Sequence, residues 1–241
     1  MTIEIKELTK CYHEKVVVDQ LSFSIKQGEF FALLGQNAAG KTSTIKMLCG
    51  LLLPTDGDAL LDGKSIVYHQ VAAKKIMNIS PQESAVAPNL TVIENLLFLG
   101  RIYGCSKTQA RERANANMEL FALSQRQNDK AKTLSGGFKR RLSIAMAMMS
   151  NPKILFLDEP TLGLDVRPRR DLWKILSGLK GKVTIVLTTH YLEEVEVLAD
   201  RVGIMHHGRL CALGTIQQLM HETKQSSLEE IFLAYTEEGL C

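Results

Sequence analysis

No stretch of the chain approaches the roughly 18 to 20 consecutive apolar residues that a membrane helix needs, so any membrane association is expected to run through a partner or a surface contact. Cysteine is sparse: Cys11, Cys49, Cys105, Cys211 and Cys241 are scattered and odd in number, with no C-x-x-C pair. That sets aside structural zinc and thiol exchange, and a reducing cytosol fits best. Charge of one sign is also scarce. A net charge of +3, with the basic residues dispersed, is too small to make nucleic acid or an anionic surface the main partner, and no nucleic acid is expected. The single dense basic run, Lys139-Arg140-Arg141, reads as the solvated side of a helix. The amino terminus, Met1-Thr2-Ile3-Glu4-Ile5-Lys6, alternates like a strand and lacks the basic and apolar regions of a signal peptide, so export is not expected. Internal repeats and low-complexity linkers are missing too, which argues against tandem domains.

What is present is an ordinary globular composition, 45% hydrophobic and 23% charged, enough to build a sizeable core. At 241 residues one compound domain, spanning residues 1–241, is the expectation. The runs Phe30 to Leu34, Lys153 to Leu157 and Val183 to Leu187 are nearly all apolar, as in strands covered on both faces. Each is followed by a helical pattern, the alternation of an α/β fold with a mostly parallel sheet. The first 30 residues differ: Ile3 to Leu8 and Val16 to Phe23 read as an antiparallel amino-terminal β-subdomain. From Thr91 the pattern is helical without strands, first Val92 to Tyr103, then Lys107 to Leu123, with a turn at Gly104. This predicts an inserted α-helical subdomain at about residues 91–150. After Asp200 come short strands Arg201 to His206 and Arg209 to Leu213, hinged at Gly208, then small helices over Thr215 to His221 and Ser227 to Thr236.

Three motifs carry chemistry. Gly35-Gln36-Asn37-Ala38-Ala39-Gly40-Lys41-Thr42 fits G-x-x-x-x-G-K-[ST] and lies between an apolar strand and a helix, the context that makes it a phosphate-binding loop. Its amides close around phosphates, Lys41 reaches the β/γ-phosphates, and Thr42 can ligate Mg²⁺. Ile154 to Glu159 places Asp158 and Glu159 where a buried strand emerges, the edge at which α/β sheets bind ligands. Asp158 is expected to hold Mg²⁺ through water, and Glu159 to polarise an attacking water. Leu134-Ser135-Gly136-Gly137 precedes a helix whose Leu142, Ala145, Met146 and Met149 read as core; Ser135 is a candidate N-cap and the glycines expose amides to an anion.

Together these elements resemble the ABC (ATP-binding cassette) ATPases over nearly the whole chain, with the Leu-Ser-Gly-Gly signature between the two Walker motifs. The resemblance implies a P-loop NTPase core, ATP with Mg²⁺, and nucleotide contacts from the loop residues Gly35 to Thr42 and from Ser43. It also implies head-to-tail pairing with a second ABC ATPase subunit, a homodimer being expected. In such a pair Ser135, Gly136 and Gly137 act on nucleotide held by the partner. On the same comparison Tyr12 resembles the adenine-stacking aromatic, although a tyrosine alone near a strand end is more often packing. Gln82 resembles the Q-loop glutamine that senses metal and water, Asp165 the D-loop aspartate, and His190 the switch histidine beside the γ-phosphate. Gln82-Glu83, Leu90 to Val92, Glu94 to Leu96, Tyr103-Gly104, Leu134 to Arg141 and the end Ser227 to Leu233 resemble the branch that includes drug and antibiotic exporters. Such cassettes serve a separate integral membrane permease, docked near Gln82 to Leu96, which implies a place at the cytoplasmic face of the cell membrane. Ribosome-acting relatives carry two cassettes in one chain and chromosome-maintaining ones a long coiled coil, neither present here.

One position departs from the resemblance: Ala38 stands where most such cassettes carry glycine. If the backbone there takes φ > 0, alanine strains it by about 1 to 3 kcal/mol, which weakens nucleotide binding without abolishing it. A nucleotide-binding regulator that does not hydrolyse is the alternative this departure raises. Phe138, after the signature glycines, is expected to point away from the phosphate.

Overall fold

The computed structural model describes residues 2–237, so Met1 and Cys241 lie outside the described residues. Two sheets and a set of helices share two cores. The smaller sheet has the order β2-β1-β4-β5, all antiparallel. Strand β1 (Ile3–Tyr12) returns through His13 into β2 (Lys15–Ile25), and β4 (Asp56–Leu61) turns at Asp62-Gly63 into β5 (Lys64–Ser65). Asp62 and Gly63 both stand at positive φ, 49 and 76, as a tight hairpin turn requires. The Ile3 and Ile5 side of β1 is buried, which is the alternation visible in the sequence.

The larger sheet has the order β10-β9-β3-β8-β7-β6. Its strands are β3 (Phe30–Gly35), β6 (Met77–Ser80), β7 (Ile154–Asp158), β8 (Thr184–Thr189), β9 (Arg201–His206) and β10 (Arg209–Gly214). All pairs are parallel except β9 with β10. The apolar runs have a simple cause: alternate side chains enter two different cores. Phe30, Ala32, Leu34, Leu155, Leu157, Ile185 and Leu187 face the helical side. Phe31, Leu33, Ile154, Phe156 and Val186 face the small sheet and α1 (Lys41–Leu48). A strand wetted on neither face has no reason to alternate in polarity.

Helix α2 (Gln70–Lys74) precedes β6; α6 (Val166–Ser177) and α7 (Leu192–Leu198) follow β7 and β8; α8 (Ile216–Thr223) and α9 (Leu228–Thr236) close the chain. Between β6 and β7 lie only α3 (Val92–Ile102), α4 (Lys107–Leu120), two single 3-10 turns and α5 (Gly136–Met148). Helices α3, α4, α8 and α9 each open on a hydroxyl that accepts a backbone N–H, from Thr91, Ser106, Thr215 and Ser227. Helix α4 stops before Leu123, because Phe121 and Leu123 turn into the core. Two expectations need correction. Ser135 occupies the N-cap position of α5 but its side chain makes no capping bond. The basic run is not a solvated face: Arg140 is 7% exposed, because α5 presses it against the segment after β6, and Arg141 pairs with Asp171 at 3.1 Å. Phe138 has the guanidinium groups of Arg126 and Arg141 over its ring, at 5.4 Å and 5.2 Å, and packs on the core.

Candidate functional site

The loop from Gly35 to Lys41 carries the chain out of β3 and straight into α1. Gly40 stands at φ 101, and a Cβ there would meet the Val17 carbonyl oxygen at 2.6 Å, so only glycine lets the loop pass. Ala38 stands at φ 65, the left-handed region in which the alanine is strained. Ala39 N–H donates to the Gln36 carbonyl at 3.2 Å, and Gly208 N–H donates to the Ala39 carbonyl at 3.1 Å, fixing the loop against the β9–β10 turn. The Lys41 ammonium is buried and donates to the carbonyls of Gly35 at 2.7 Å and Gln36 at 3.1 Å.

The carboxylates sit across from this loop. Glu159 Oε1 lies 3.4 Å from Lys41 Nζ, and its Oε2 lies 2.9 Å from His190 Nδ1. Glu159 is 6% exposed and itself at φ 48, a left-handed backbone that aims the carboxyl back into the cavity rather than along β7. Its N–H donates to Thr188 Oγ1 at 3.1 Å, and Thr188 Oγ1 donates to Asp158 Oδ1 at 2.6 Å. Thr42 Oγ1 donates to the same Asp158 oxygen at 3.2 Å. This is a suitable setting for Mg²⁺, which takes hard oxygen donors and usually binds through one or two carboxylates plus substrate phosphates. Among the described residues no group of three or more His, Cys, Asp or Glu is gathered as a metal cage.

The loop and Glu159 bound a cavity of about 780 Å³, roomy enough for a nucleotide. Gln36, Asn37, Ala38, Ala39, Gly40, Lys41, Thr42 and Ser43 line one side, with Gln82, Glu159 and His190 opposite. Asp158 and Gly35 stand behind the lining, in contact with Thr42 and Lys41. Tyr12 does not line the cavity; it is 46% exposed at the end of β1, with Lys10 over its ring at 5.2 Å. Its strand partner Lys15 does line it, with Val16 and Val17. Ser135, Gly136 and Gly137 lie outside this cavity, at the start of α5; Gly136 and Gly137 face Leu164 and Pro168, beside Asp165 at the start of α6. The chain thus brings loop, carboxylates, Gln82 and His190 together and leaves the signature and Asp165 on another surface.

Some participants were not singled out in the sequence. Thr188 connects Asp158 to Glu159, and its signal was a polar pair, Thr188-Thr189, closing an otherwise apolar strand. Arg140 donates to the carbonyls of Pro81 at 2.8 Å and Gln82 at 2.5 Å, tying α5 to the segment that carries Gln82. Burial lowers the Arg140 pKa, and the charges of Asp158 and Glu194 act against that shift. His206 and His207 also line the cavity, with ring centres 4.0 Å apart; burial and then the neighbouring ring push His206 below its ordinary range.

A glycine-rich loop between a buried parallel strand and a helix, closed on its own lysine and faced by two carboxylates from the end of β7, one strand beyond β8, defines a P-loop NTPase. The sequence pattern of the ABC transporter family matches residues 18–162, and the chain belongs to that family, as an ATP-binding subunit. It is 41% identical over 214 residues to the linearmycin resistance ATP-binding protein LnrL of Bacillus subtilis (strain 168), covering 88% of this chain and 69% of that one. It is 40% identical to the daunorubicin/doxorubicin resistance ATP-binding protein DrrA of Streptomyces peucetius, covering 90% and 66%. It is 38% identical to the probable multidrug ABC transporter ATP-binding protein YbhF of Escherichia coli (strain K12), covering 96% of this chain but 41% of that one. The fold superposes on a solved ATP binding subunit of an ABC transporter with a TM-score of 0.87 at 28% identity, over 98% of this chain and 99% of the other. Among the described residues no helix is long and apolar enough to cross a membrane.

Proposed function

We propose that this chain hydrolyses ATP to ADP and phosphate to drive a separate membrane permease in an export system of the drug-resistance type. The observation that carries hydrolysis is the buried Glu159 carboxylate, held between Lys41 at 3.4 Å and His190 at 2.9 Å at the wall of the phosphate loop. In this reading Lys41 exchanges its carbonyl partners for phosphate oxygens, and the amides from Gln36 to Ser43 enclose the phosphate chain. Glu159 orients a water and accepts its proton as the water oxygen attacks the γ-phosphorus, the bond to ADP breaking in line. His190 holds Glu159 and faces the γ-phosphate. Thr42, Asp158 and Gln82 hold Mg²⁺, which when bound neutralises charge on the phosphates. Tyr12 is close enough in sequence to Lys15 to meet a base at the mouth of the cavity.

The same reading takes residues 1–241 as one ABC ATPase domain with a helical subdomain at about 91–150. Ser135, Gly136, Gly137 and Asp165, which the chain does not aim at its own cavity, serve nucleotide on a second ATPase subunit, a homodimer in the simplest case. Closing of that pair around two ATP molecules moves the permease, and phosphate release reopens it. The permease dock is supported by exposed Tyr68, Val71, Phe98, Ile102 and Tyr103, of which Val71 and Tyr103 line a hollow beside β6. This puts the chain on the cytoplasmic face of the membrane. Single-turnover cleavage of ATP by the purified chain, against Glu159→Gln, tests the core of the reading. A drop of roughly 10²-fold or more in the variant is expected; equal rates would favour the non-hydrolysing regulator instead.

A further inference from the structure

Behind Glu159 and His190 lies a buried acid with no part in the reaction as described. Glu194 sits in α7, one helical turn past His190, and is fully buried. No cation pairs with it among the described residues. Its Oε1 accepts the indole N–H of Trp173, on α6, at 3.0 Å. The hydroxyls of Thr189 and Thr161 adjoin the carboxyl. Thr189 Oγ1 already accepts the Tyr191 N–H at 3.0 Å, so its own proton is free to turn to Glu194. Glu194 Oε2 and Thr161 Oγ1 are both buried and otherwise without a partner, which marks each as the other's natural complement.

The placement of these groups matters more than their number. Thr161 is two residues past Glu159, Thr189 immediately precedes His190, and Trp173 belongs to the helix behind both. The 2.9 Å contact between His190 and Glu159 depends on the relative position of those two segments; the Thr188 hydroxyl joins them at the strand ends, and Glu194 touches both from behind. A carboxyl buried without a cation is costly where a leucine would pack, so its use here calls for a polar task.

We propose that Glu194 is a positioning residue for hydrolysis: through hydrogen bonds rather than charge, it gathers Thr161, Thr189 and Trp173 and so fixes Glu159 against His190. Burial raises its pKa, the hydrogen bonds from Thr189, Trp173 and Thr161 oppose that rise, and the Glu159 charge adds a smaller upward push. The inference rests on the reading that Glu159 and His190 carry hydrolysis.

The test is kcat and KM for ATP cleavage by the full chain. Glu194→Gln keeps one acceptor and one donor and is expected to stay near the wild-type rate. Glu194→Ala is expected to lose kcat by roughly 10- to 100-fold, the cost of a misplaced catalytic group, with KM unchanged. Thr161→Val is expected to lower kcat in the same manner, and the double variant to be no worse than Glu194→Ala alone. Gln as impaired as Ala, or effects that simply add, would overturn the proposal. If Glu194→Ala does not fold, Thr161→Val and Trp173→Phe decide: lower kcat at constant KM supports the role, and wild-type kcat refutes it. Glu159→Gln separates the two layers. A normal rate there removes the catalytic reading itself, whereas a dead Glu159→Gln beside unaffected Glu194→Ala and Thr161→Val removes this inference alone.

Discussion

Two helices of this chain open on glycine-containing loops, and they end up in opposite conditions. At the start of α1 the polar groups are engaged within the chain: Lys41 holds the Gly35 and Gln36 carbonyls and Glu159, and Thr42 holds Asp158. At the start of α5 the serine is exposed and its hydroxyl caps nothing, although among the described residues four other helices are capped by a hydroxyl of the same kind. Free N–H groups at a helix start favour an anion. One end is thus tied to the carboxylates of its own cavity, and the other is not. On the proposed reading that other end meets the nucleotide of a second copy.

The sharpest way to break this contrast is to damage the ends separately. Lys41→Ala removes the phosphate ligand and leaves buried Glu159 short of a partner, and is expected to weaken ATP binding by roughly 10²-fold, read by nucleotide titration. Ser135→Arg is expected to leave binding to dilute protein within about twofold but to abolish cleavage, since its defect acts only across a pair. Mixing the two variants restores one undamaged site in each mixed dimer, so cleavage returns to about a quarter of the wild-type rate. No return at any concentration would mean that both ends serve one copy.

A second test concerns the link between the ends. Arg140 lies on α5 and holds the carbonyls on either side of the Pro81–Gln82 junction, so Arg140→Gln is expected to destabilise the fold by about 2 to 3 kcal/mol in chemical denaturation. Arg141, whose partner Asp171 is half exposed, is expected to contribute under about 1 kcal/mol. Equal effects would return the basic run to the solvated surface that the sequence suggested.

A smaller effect comes from Glu194, whose folded pKa is raised. Below the ordinary glutamate range both folded and unfolded chains hold the proton. As pH rises through that range the unfolded chain releases it first, so stability falls by about 1.4 kcal/mol per pH unit until the folded group also ionises. Glu194→Gln removes this slope, and denaturation midpoints of the two proteins should diverge in its favour as pH rises above the ordinary glutamate range. Parallel curves would mean that Glu194 is ionised in the fold.

Much of this was open to reading in the chain because it is local. The loop from Gly35 to Thr42 and the pair Asp158-Glu159 sit at strand ends, where a few adjacent residues set both backbone and chemistry. The apolar runs in β3, β7 and β8 also announced themselves, since both faces are covered. What escaped depends on distant partners. Arg140 looks like its neighbours until the Gln82 segment is laid across it, and Ser135 looks like any cap until its hydroxyl is seen to bind no amide. Tyr12 stands in a hairpin whose other strand faces the cavity, and no spacing within β1 distinguishes an exposed ring from a lining one.

The finest test falls on the strained turn of the loop itself. Ala38 at φ 65 satisfies the condition under which alanine costs energy, which the sequence suggested would weaken nucleotide binding. The surrounding bonds argue otherwise. With Ala39 N–H on the Gln36 carbonyl and Gly208 N–H on the Ala39 carbonyl, the loop is fixed from both sides, and a conformation held before and after binding carries the same strain in both states. That strain cancels from the affinity and remains in the stability. Ala38→Gly is therefore expected to stabilise the fold by at most about 1 kcal/mol, the relief at Cβ being offset in part by the freer unfolded chain, while the ATP dissociation constant moves less than about twofold. A fivefold tightening of ATP, about 1 kcal/mol transferred to binding, would show instead that the loop reaches φ > 0 only when phosphate pulls it there. The glycine end would then be as unfinished without nucleotide as the signature end, and the contrast between them would vanish.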